Sequence, residues 1–176
     1  MEGIEKISLN DITYAREMGY VIKLLAVASR QENGIALNVY PAFVPKTHPL
    51  ASIKGSYNAV YVTGNIVGNV MFYGRGAGSL PTASAVMGDV ISTANILNHS
   101  SGTGMMLTET KRIPFYSSLK LNNSYYFRLI VDDVCGVLSQ IASAYADNEI
   151  SIKEVVQKSR IGDAAELMII TEATPR

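Results

Sequence analysis

Gly74, Gly76 and Gly78 alternate with Arg75 and Ala77 in the stretch YGRGAGSLPTASAVMGD, Tyr73 to Asp89. Residues without a Cβ just ahead of a helical pattern leave backbone N–H groups open to a ligand. Free N–H groups at a helix start favour an anion or the amide end of a ligand. Arg75 would either add a positive charge or point to solvent. Two familiar phosphate-binding patterns are absent. A Walker loop needs Lys-Ser or Lys-Thr after its last glycine, and Gly78 is followed by Ser79-Leu80. The dinucleotide fingerprint needs its third glycine three residues after the second, and the spacing here is two. Pro81 suits the first turn of a helix, where a missing N–H costs nothing, and Ser79 or Thr82 could cap. Residue chemistry leaves two readings open: a ligand-contacting turn, or a structural turn whose glycines permit close backbone packing.

Acids and bases elsewhere are sparse. Asp89, among apolar residues of the helical stretch Pro81–Leu97, is the best candidate for a buried acid, against a structural hydrogen bond to a nearby loop. Glu5, Asp11 and Glu17 read as solvated or capping groups. Lys23 is embedded in an apolar strand pattern, and His48, ahead of Pro49-Leu50, either touches a ligand or stabilises its own turn. Asp132-Asp133-Val134-Cys135-Gly136-Val137-Leu138 joins a strand to a helix, and its N–H groups suit a small carboxylate or simply form a capped turn. Cys135 has no partner that would make it a redox residue. No nucleophile with an orienting base, and no acid–base pair, stands out, so no catalytic residue is assigned. His48 and His99 with one cysteine do not make a zinc cluster, and no metal site is assigned, although a carboxylate-only site stays open.

Composition narrows the classes. The 176 residues are long enough for one full domain or two small ones. They are 48% apolar and 17% charged, which is globular and not disordered. Lys+Arg and Asp+Glu are both 15, so no excess of cations points to nucleic acid or an anionic membrane. One cysteine excludes an internal disulfide framework and fits a reducing compartment. No signal-peptide pattern opens the chain, and no apolar run approaches the roughly 20 residues that cross a bilayer. The expectation is a cytoplasmic protein.

The elements that must hold these residues follow from periodicity. Asn10 or Asp11 caps a short helix ending near Gly19. Tyr20–Ser29 reads as a buried strand and, after a turn at Glu32-Asn33-Gly34, IALNVYPAFV alternates with period two, so a hairpin is expected. Pro41 and Pro45 make its far end an edge or irregular strand. NAVYVTG and NVMFYG are two more strands. The helix Pro81–Leu97 has Val86, Val90, Ala94 and Leu97 on a stripe widened by Ala83, Met87 and Ile91, which suits a helix lying on a sheet. The pattern lapses between His99 and Ser118. Beyond it, a strand in YYFRLIVDD, a helix Val134–Asp147, and strands Ile150–Gln157 and Glu166–Thr171 around Gly162-Asp163 give the order βαββ. Such a unit leaves one sheet face incompletely covered, and reads as a βαββαβ module cut before its second helix and last strand. The N-terminus reads as cut too, since residues 1–98 contain no complete nucleotide-binding half. The expected class is α+β: a mixed sheet with packed helices in residues 1–98, a linker at 99–118, and an incomplete ferredoxin-like βαββ unit at 119–176.

Two segments also carry a resemblance. GYVIKLLAVA, HPLA and NAVYVTGNIVGNVMFYGRGAGSLPTASAVMGD resemble the C-terminal part of the catalytic region of homoserine dehydrogenase. YYFRLIVDDVCGVLSQIASAYADNEISIKEVVQK with AELMIITEA resembles the ACT domain that follows it in many members. The resemblance covers essentially the whole chain, and the first segment is the more specific signal. It implies an oxidoreductase that interconverts L-homoserine and L-aspartate 4-semialdehyde with NAD or NADP, on the route to threonine, methionine and isoleucine. It also implies that the Rossmann domain, the catalytic lysine and the substrate-binding acids precede this chain, so neither Lys6 nor Lys23 inherits a catalytic role. By the same resemblance Gly76, Ala77, Gly78 and Thr82 form a wall approaching the cofactor. Asp133, Cys135, Gly136 and Val137 form an effector turn for an amino acid, with threonine expected. Cys135 replaces the usual proline there, which leaves the turn less constrained. A homo-oligomer, a dimer by the family pattern, is expected, with no nucleic-acid or membrane partner. The isolated chain is expected to be inactive and to bind no cofactor tightly. The alternative is an amino-acid-binding regulatory and dimerisation module without catalysis.

Overall fold

A computed structural model describes residues 3–98, 112–117, 120–161 and 164–175, with the side chains of 159–161 excepted. Its elements run α1 (Leu9–Glu17), β1 (Tyr20–Gln31), β2 (Gly34–Pro45), a 3₁₀ turn (Pro49–Ser52), β3 (Tyr57–Gly64), β4 (Gly68–Arg75), α2 (Ser79–Asn98), β5 (Tyr126–Asp132), α3 (Val137–Asp147), β6 (Ile152–Ile161) and β7 (Ala164–Thr171). The α+β class holds. The strands of residues 1–98, expected as one mixed sheet, instead make the separate pairs β1–β2 and β3–β4, while β5, β7 and β6 form a third sheet. Two compact units result, one gathering Ala26–Val39 and Ile113–Arg176, the other Glu2–Leu25 and Tyr40–Arg112.

In the second of these units Ser8, not Asn10 or Asp11, caps α1. The Ser8 side chain accepts from the Asp11 N–H, and the Asp11 carboxylate accepts from the Ser8 N–H at 2.8 Å, a reciprocal capping box that buries Asp11. The Lys46 N–H donates to the Gly19 carbonyl at 2.9 Å and the Lys46 ammonium to the Arg16 carbonyl at 2.7 Å, fastening the end of β2 beside the end of α1. Pro41 and Pro45 lie within β2, tolerable because each strand of a two-stranded sheet keeps one free edge. β1, expected as a buried strand, is half-buried, with exposed residues alternating from Leu24 onward. Strands β3 and β4 pair antiparallel from Tyr57↔Arg75 to Gly64↔Gly68. The α2 stripe, expected against a sheet, is open among the described residues: no α2 residue is buried, and Val90 is 53% exposed.

The other unit has its core at β7. The order β5-β7-β6, antiparallel throughout, places β7 centrally, with Phe127↔Ile169 on one side and Val155↔Ile169 on the other. Both faces of β7 are covered, because Ala165, Leu167 and Ile169 are buried and so are Glu166, Met168 and Ile170. The incomplete cover expected of one face of a βαββ unit is not seen at the central strand. Edge strand β5 remains open, with Ile130 71% exposed. Arg128 on β5 reaches the 3%-exposed Glu166 across the ladder at 3.0 Å. Ile113–Tyr116, within the expected linker, is tied down by Ile35 N–H to the Pro114 carbonyl (3.0 Å) and Tyr116 N–H to the Ile35 carbonyl (2.9 Å). Helix α3 begins at Val137, three residues later than expected, because Gly136 takes the N-cap with φ 94°. The expected turn at Gly162-Asp163, and most of the 99–118 linker, lie outside the described residues.

Candidate functional site

The glycine turn grows directly out of the β3–β4 ladder. Beyond the Tyr57↔Arg75 pair, the Gly76 N–H donates to the Ser56 carbonyl at 3.2 Å, extending the pairing by one residue. A Cβ at Gly76 would overlap the Asn58 side-chain amide, so the absent side chain reflects a close approach. Gly78 has φ 129°, a conformation open to glycine and strained for other residues. The first helical bond of α2 runs from the Thr82 N–H to the Gly78 carbonyl at 3.1 Å. Ser79 is accordingly the first helical residue and Thr82 lies one turn in, so neither is the cap that the sequence suggested. Pro81 sits in the first turn as expected, 3.3 Å from where a Gly78 Cβ would stand. Its position leaves the N–H groups of Ser79 and Leu80 as the first-turn donors, without a hydrogen-bond partner among the described residues.

Arg75 is held, not loose. Its guanidinium carbon lies 5.1 Å from the centroid of the Tyr57 ring, and its Nε donates to the Tyr57 hydroxyl at 3.3 Å. Tyr57 in turn stacks on Tyr73, with centroids 4.8 Å apart and planes inclined by 9°. The register explains the group: Tyr57 and Arg75 are direct cross-strand partners, and Tyr73 is two residues before Arg75 on the same face.

Tyr57 and Asn58 also line a cleft of about 330 Å³ together with Lys23 on β1 and Leu50, Ile53 and Lys54 from the connection after β2. Its geometry is set by a tether thirty residues long in sequence, the Lys23 ammonium donating to the Ile53 carbonyl. His48 stabilises the same connection. Its Nδ1 accepts from the Leu50 N–H at 3.2 Å, and its ring lies 4.7 Å from that of Tyr61. His48 thus has the turn-stabilising hydrogen bond that one of its two readings expected. Asp89, the expected buried acid, is exposed on α2.

At the start of α3, Asp133, Cys135, Gly136 and Val137 form one tight turn. The Val134 N–H donates to the Asp132 carbonyl at 3.0 Å, and the Val137 N–H to the Val134 carbonyl at 3.5 Å. No side chain caps the helix, and Cys135 is exposed. The far end of α3 borders a shallow cavity of about 420 Å³ that includes Ala142, Tyr145, Glu149 and Ser151. Burial pushes the Tyr145 phenol above its ordinary 10.0, and Phe127 meets its ring edge-on at 6.0 Å. No group of His, Cys, Asp and Glu among the described residues could hold a metal ion, and no described helix is long and apolar enough to cross a membrane. The sequence reading missed Lys54, Tyr57 and Asn58, of which Asn58 stands opposite Gly74 in the β3–β4 register.

Together these features define an α+β protein in which a glycine turn feeds a helix start beside a cleft that carries Lys23 and Lys54. Residues 1–91 match the family profile of homoserine dehydrogenase. The chain belongs to the homoserine dehydrogenase family. It is 38% identical over 180 residues to the homoserine dehydrogenase of Neisseria gonorrhoeae, covering 99% of this chain and 41% of that protein. The Synechocystis enzyme is 37% identical, with 97% and 41% covered. Among solved structures, the Thiobacillus denitrificans homoserine dehydrogenase superposes with a TM-score of 0.86 at 36% identity, over 98% of this chain and 40% of that one. The Staphylococcus aureus enzyme at pH 7.5 gives a TM-score of 0.62 at 27% identity, over 98% and 41%. The chain thus spans about two fifths of the length of the relatives it matches.

Proposed function

We propose that the protein carrying this chain is an NAD(P)-dependent homoserine dehydrogenase interconverting L-homoserine and L-aspartate 4-semialdehyde, and that this chain supplies one wall of its nicotinamide site. The observation that carries the reading is the Gly76–Thr82 turn, in a chain that belongs to the family. A backbone bare at Gly76 and Gly78, followed by the N–H groups of Ser79 and Leu80, which have no partner among the described residues, fits the polar edge of a bound nucleotide. The nicotinamide, when bound, supplies the hydride chemistry. The chain's own residues do simpler work. Gly76 and Gly78 let the backbone approach, the two N–H groups donate, and Pro81 and the Thr82 N–H bond hold the helix start in place.

Residues 1–98 are proposed as part of the catalytic and dimerisation region, 99–118 as a linker and 119–176 as an ACT-like regulatory unit. The exposed apolar stripe of α2, including Val86, Val90 and Leu97, supports assembly into a homodimer. A cytoplasmic location accords with the single exposed cysteine. Steady-state assays with homoserine and either nicotinamide cofactor test the reading. The full gene product is expected to turn over and residues 1–176 alone are not; robust turnover by residues 1–176 would overturn the assignment of catalysis to other residues.

A second reading, amino-acid binding without catalysis, is favoured by one observation, the antiparallel β5-α3-β6-β7 unit with the Asp133–Val137 turn at its helix start. Calorimetric titration with threonine tests it. Binding that shifts on replacing Asp133 supports an effector turn, and no heat at millimolar threonine removes it.

A further inference from the structure

The cleft beside the glycine turn has an unbalanced charge. Lys23 and Lys54 line it, and Arg75 lies over the Tyr57 ring that forms part of its wall. No aspartate or glutamate is among the lining residues. None of the three cations is paired with a carboxylate among the described residues: Lys23 donates to the Ile53 carbonyl and Arg75 to the Tyr57 hydroxyl. An ammonium bound to one carbonyl retains two donors, and a guanidinium bound through Nε retains its four terminal N–H groups. Leu50 and Ile53 add apolar surface beside the cations. In a chain whose net charge is zero, a cleft whose charged lining residues, Lys23 and Lys54, are both cationic is a local feature and not a reflection of overall basicity.

We infer that this cleft is an anion-binding site for the phosphate or carboxylate group of a small molecule, with Lys54 and Arg75 as its charged contacts and Tyr57 as the residue that positions Arg75. Lys23 plays a double part, holding the Ile53 connection in place and contributing charge. The site adjoins the glycine turn through Asn58, which lines the cleft and packs against Gly76. For the identity of its ligand, the inference rests on the functional reading above; for the existence of the site it rests on the cleft. A nucleotide phosphate and an amino-acid carboxylate are the two sources that reading provides.

Amide NMR titration of residues 1–176 at fixed ionic strength, with inorganic pyrophosphate in one arm and L-homoserine in the other, tests the inference. Saturable shifts of residues 53–59 are expected in at least one arm, and the probe that saturates identifies the source. Lys54→Met and Arg75→Met should each weaken that binding about three- to tenfold, while Lys153→Met, an exposed lysine of the other unit, leaves it unchanged. Tyr57→Phe, which keeps the ring under Arg75 and loses the hydroxyl, should fall between the wild type and Arg75→Met. Lack of saturation with either probe at millimolar concentrations overturns the site, and so does equal weakening by all three Met variants. Binding without turnover by the full gene product would remove the functional reading and leave the site; turnover without binding would do the reverse.

Discussion

Replacing Gly78 with alanine is expected to cost about 1–3 kcal/mol of unfolding free energy, because φ 129° is close to glycine-only territory. The new Cβ would also stand 3.3 Å from Pro81 Cδ, whose ring is fixed in the first turn of α2 and can yield little. Gly76→Ala should behave differently. Its φ is not positive, and the obstruction is the Asn58 amide, the free end of an exposed side chain that can swing to another rotamer for less than about 1 kcal/mol. Gly74 has open space where a Cβ would go and sits within β4, so alanine there should be neutral or slightly stabilising, by up to about 1 kcal/mol. The cleanest measurement is a double-mutant cycle under urea. Asn58→Ala should restore Gly76→Ala and give a coupling energy, but leave Gly78→Ala unrepaired. Hydrogen exchange at the first turn of α2 localises the damage. If Gly78→Ala and Gly74→Ala agree within about 0.5 kcal/mol, the backbone reason given for Gly78 is wrong.

Other perturbations follow from single contacts. Arg128→Met removes the Arg128 ion pair from the nearly fully buried Glu166 carboxylate and should destabilise the chain by about 1–3 kcal/mol in urea unfolding, with Glu166→Gln costing less. Lys23→Met removes the tether to Ile53, and amide exchange across Pro49–Ile53 should accelerate while β7 stays protected. The raised Tyr145 pKa means that the folded chain keeps its phenol proton to higher pH than the unfolded chain. Stability conferred by that proton is complete below about pH 10 and is lost as pH rises through the folded value. Tyr145→Phe should abolish that alkaline component in pH-dependent unfolding. Sedimentation should give a species larger than the 19.0 kDa monomer, and Val90→Glu on the exposed α2 stripe should shift it towards monomer.

Much of the architecture was legible in local pattern. The alternation of β2 and β5, the amphipathic α3 and the long apolar α2 are set by residues close in sequence, and each element formed near its expected span. The exceptions have identifiable causes. Ser8 was overlooked as the α1 cap because its reciprocal partner is Asp11, where the usual capping signature has glutamate or glutamine. The central position of β7 was written in Ala164–Thr171, an apolar run broken by Glu166 alone before its last residue, but a partner of the buried Glu166, Arg128, lies 38 residues away. Periodicity gave α2 its apolar stripe without saying what covers it. The three glycines were equivalent as letters; a dihedral angle and the Asn58 side chain separate them.

The candidate site was less legible because its pieces are assembled by contacts 18 to 30 residues apart, between Tyr57 and Arg75 and between Lys23 and Ile53. What those contacts assemble is one-sided. Oxidising an alcohol to an aldehyde needs a hydride acceptor and also a group to take the hydroxyl proton. The turn and cleft offer N–H donors, two ammonium groups, a guanidinium and a phenol already engaged by it. The nearby imidazole nitrogen of His48 that could accept is engaged by Leu50, and Asp89 is exposed on α2. The proposed reading accordingly gives these groups a binding part and looks for the proton acceptor in the rest of the protein. On the proposed reading, binding and turnover should separate when residues 1–176 and the full gene product are compared, because the proposed anion contacts lie within this chain and the proposed base lies elsewhere.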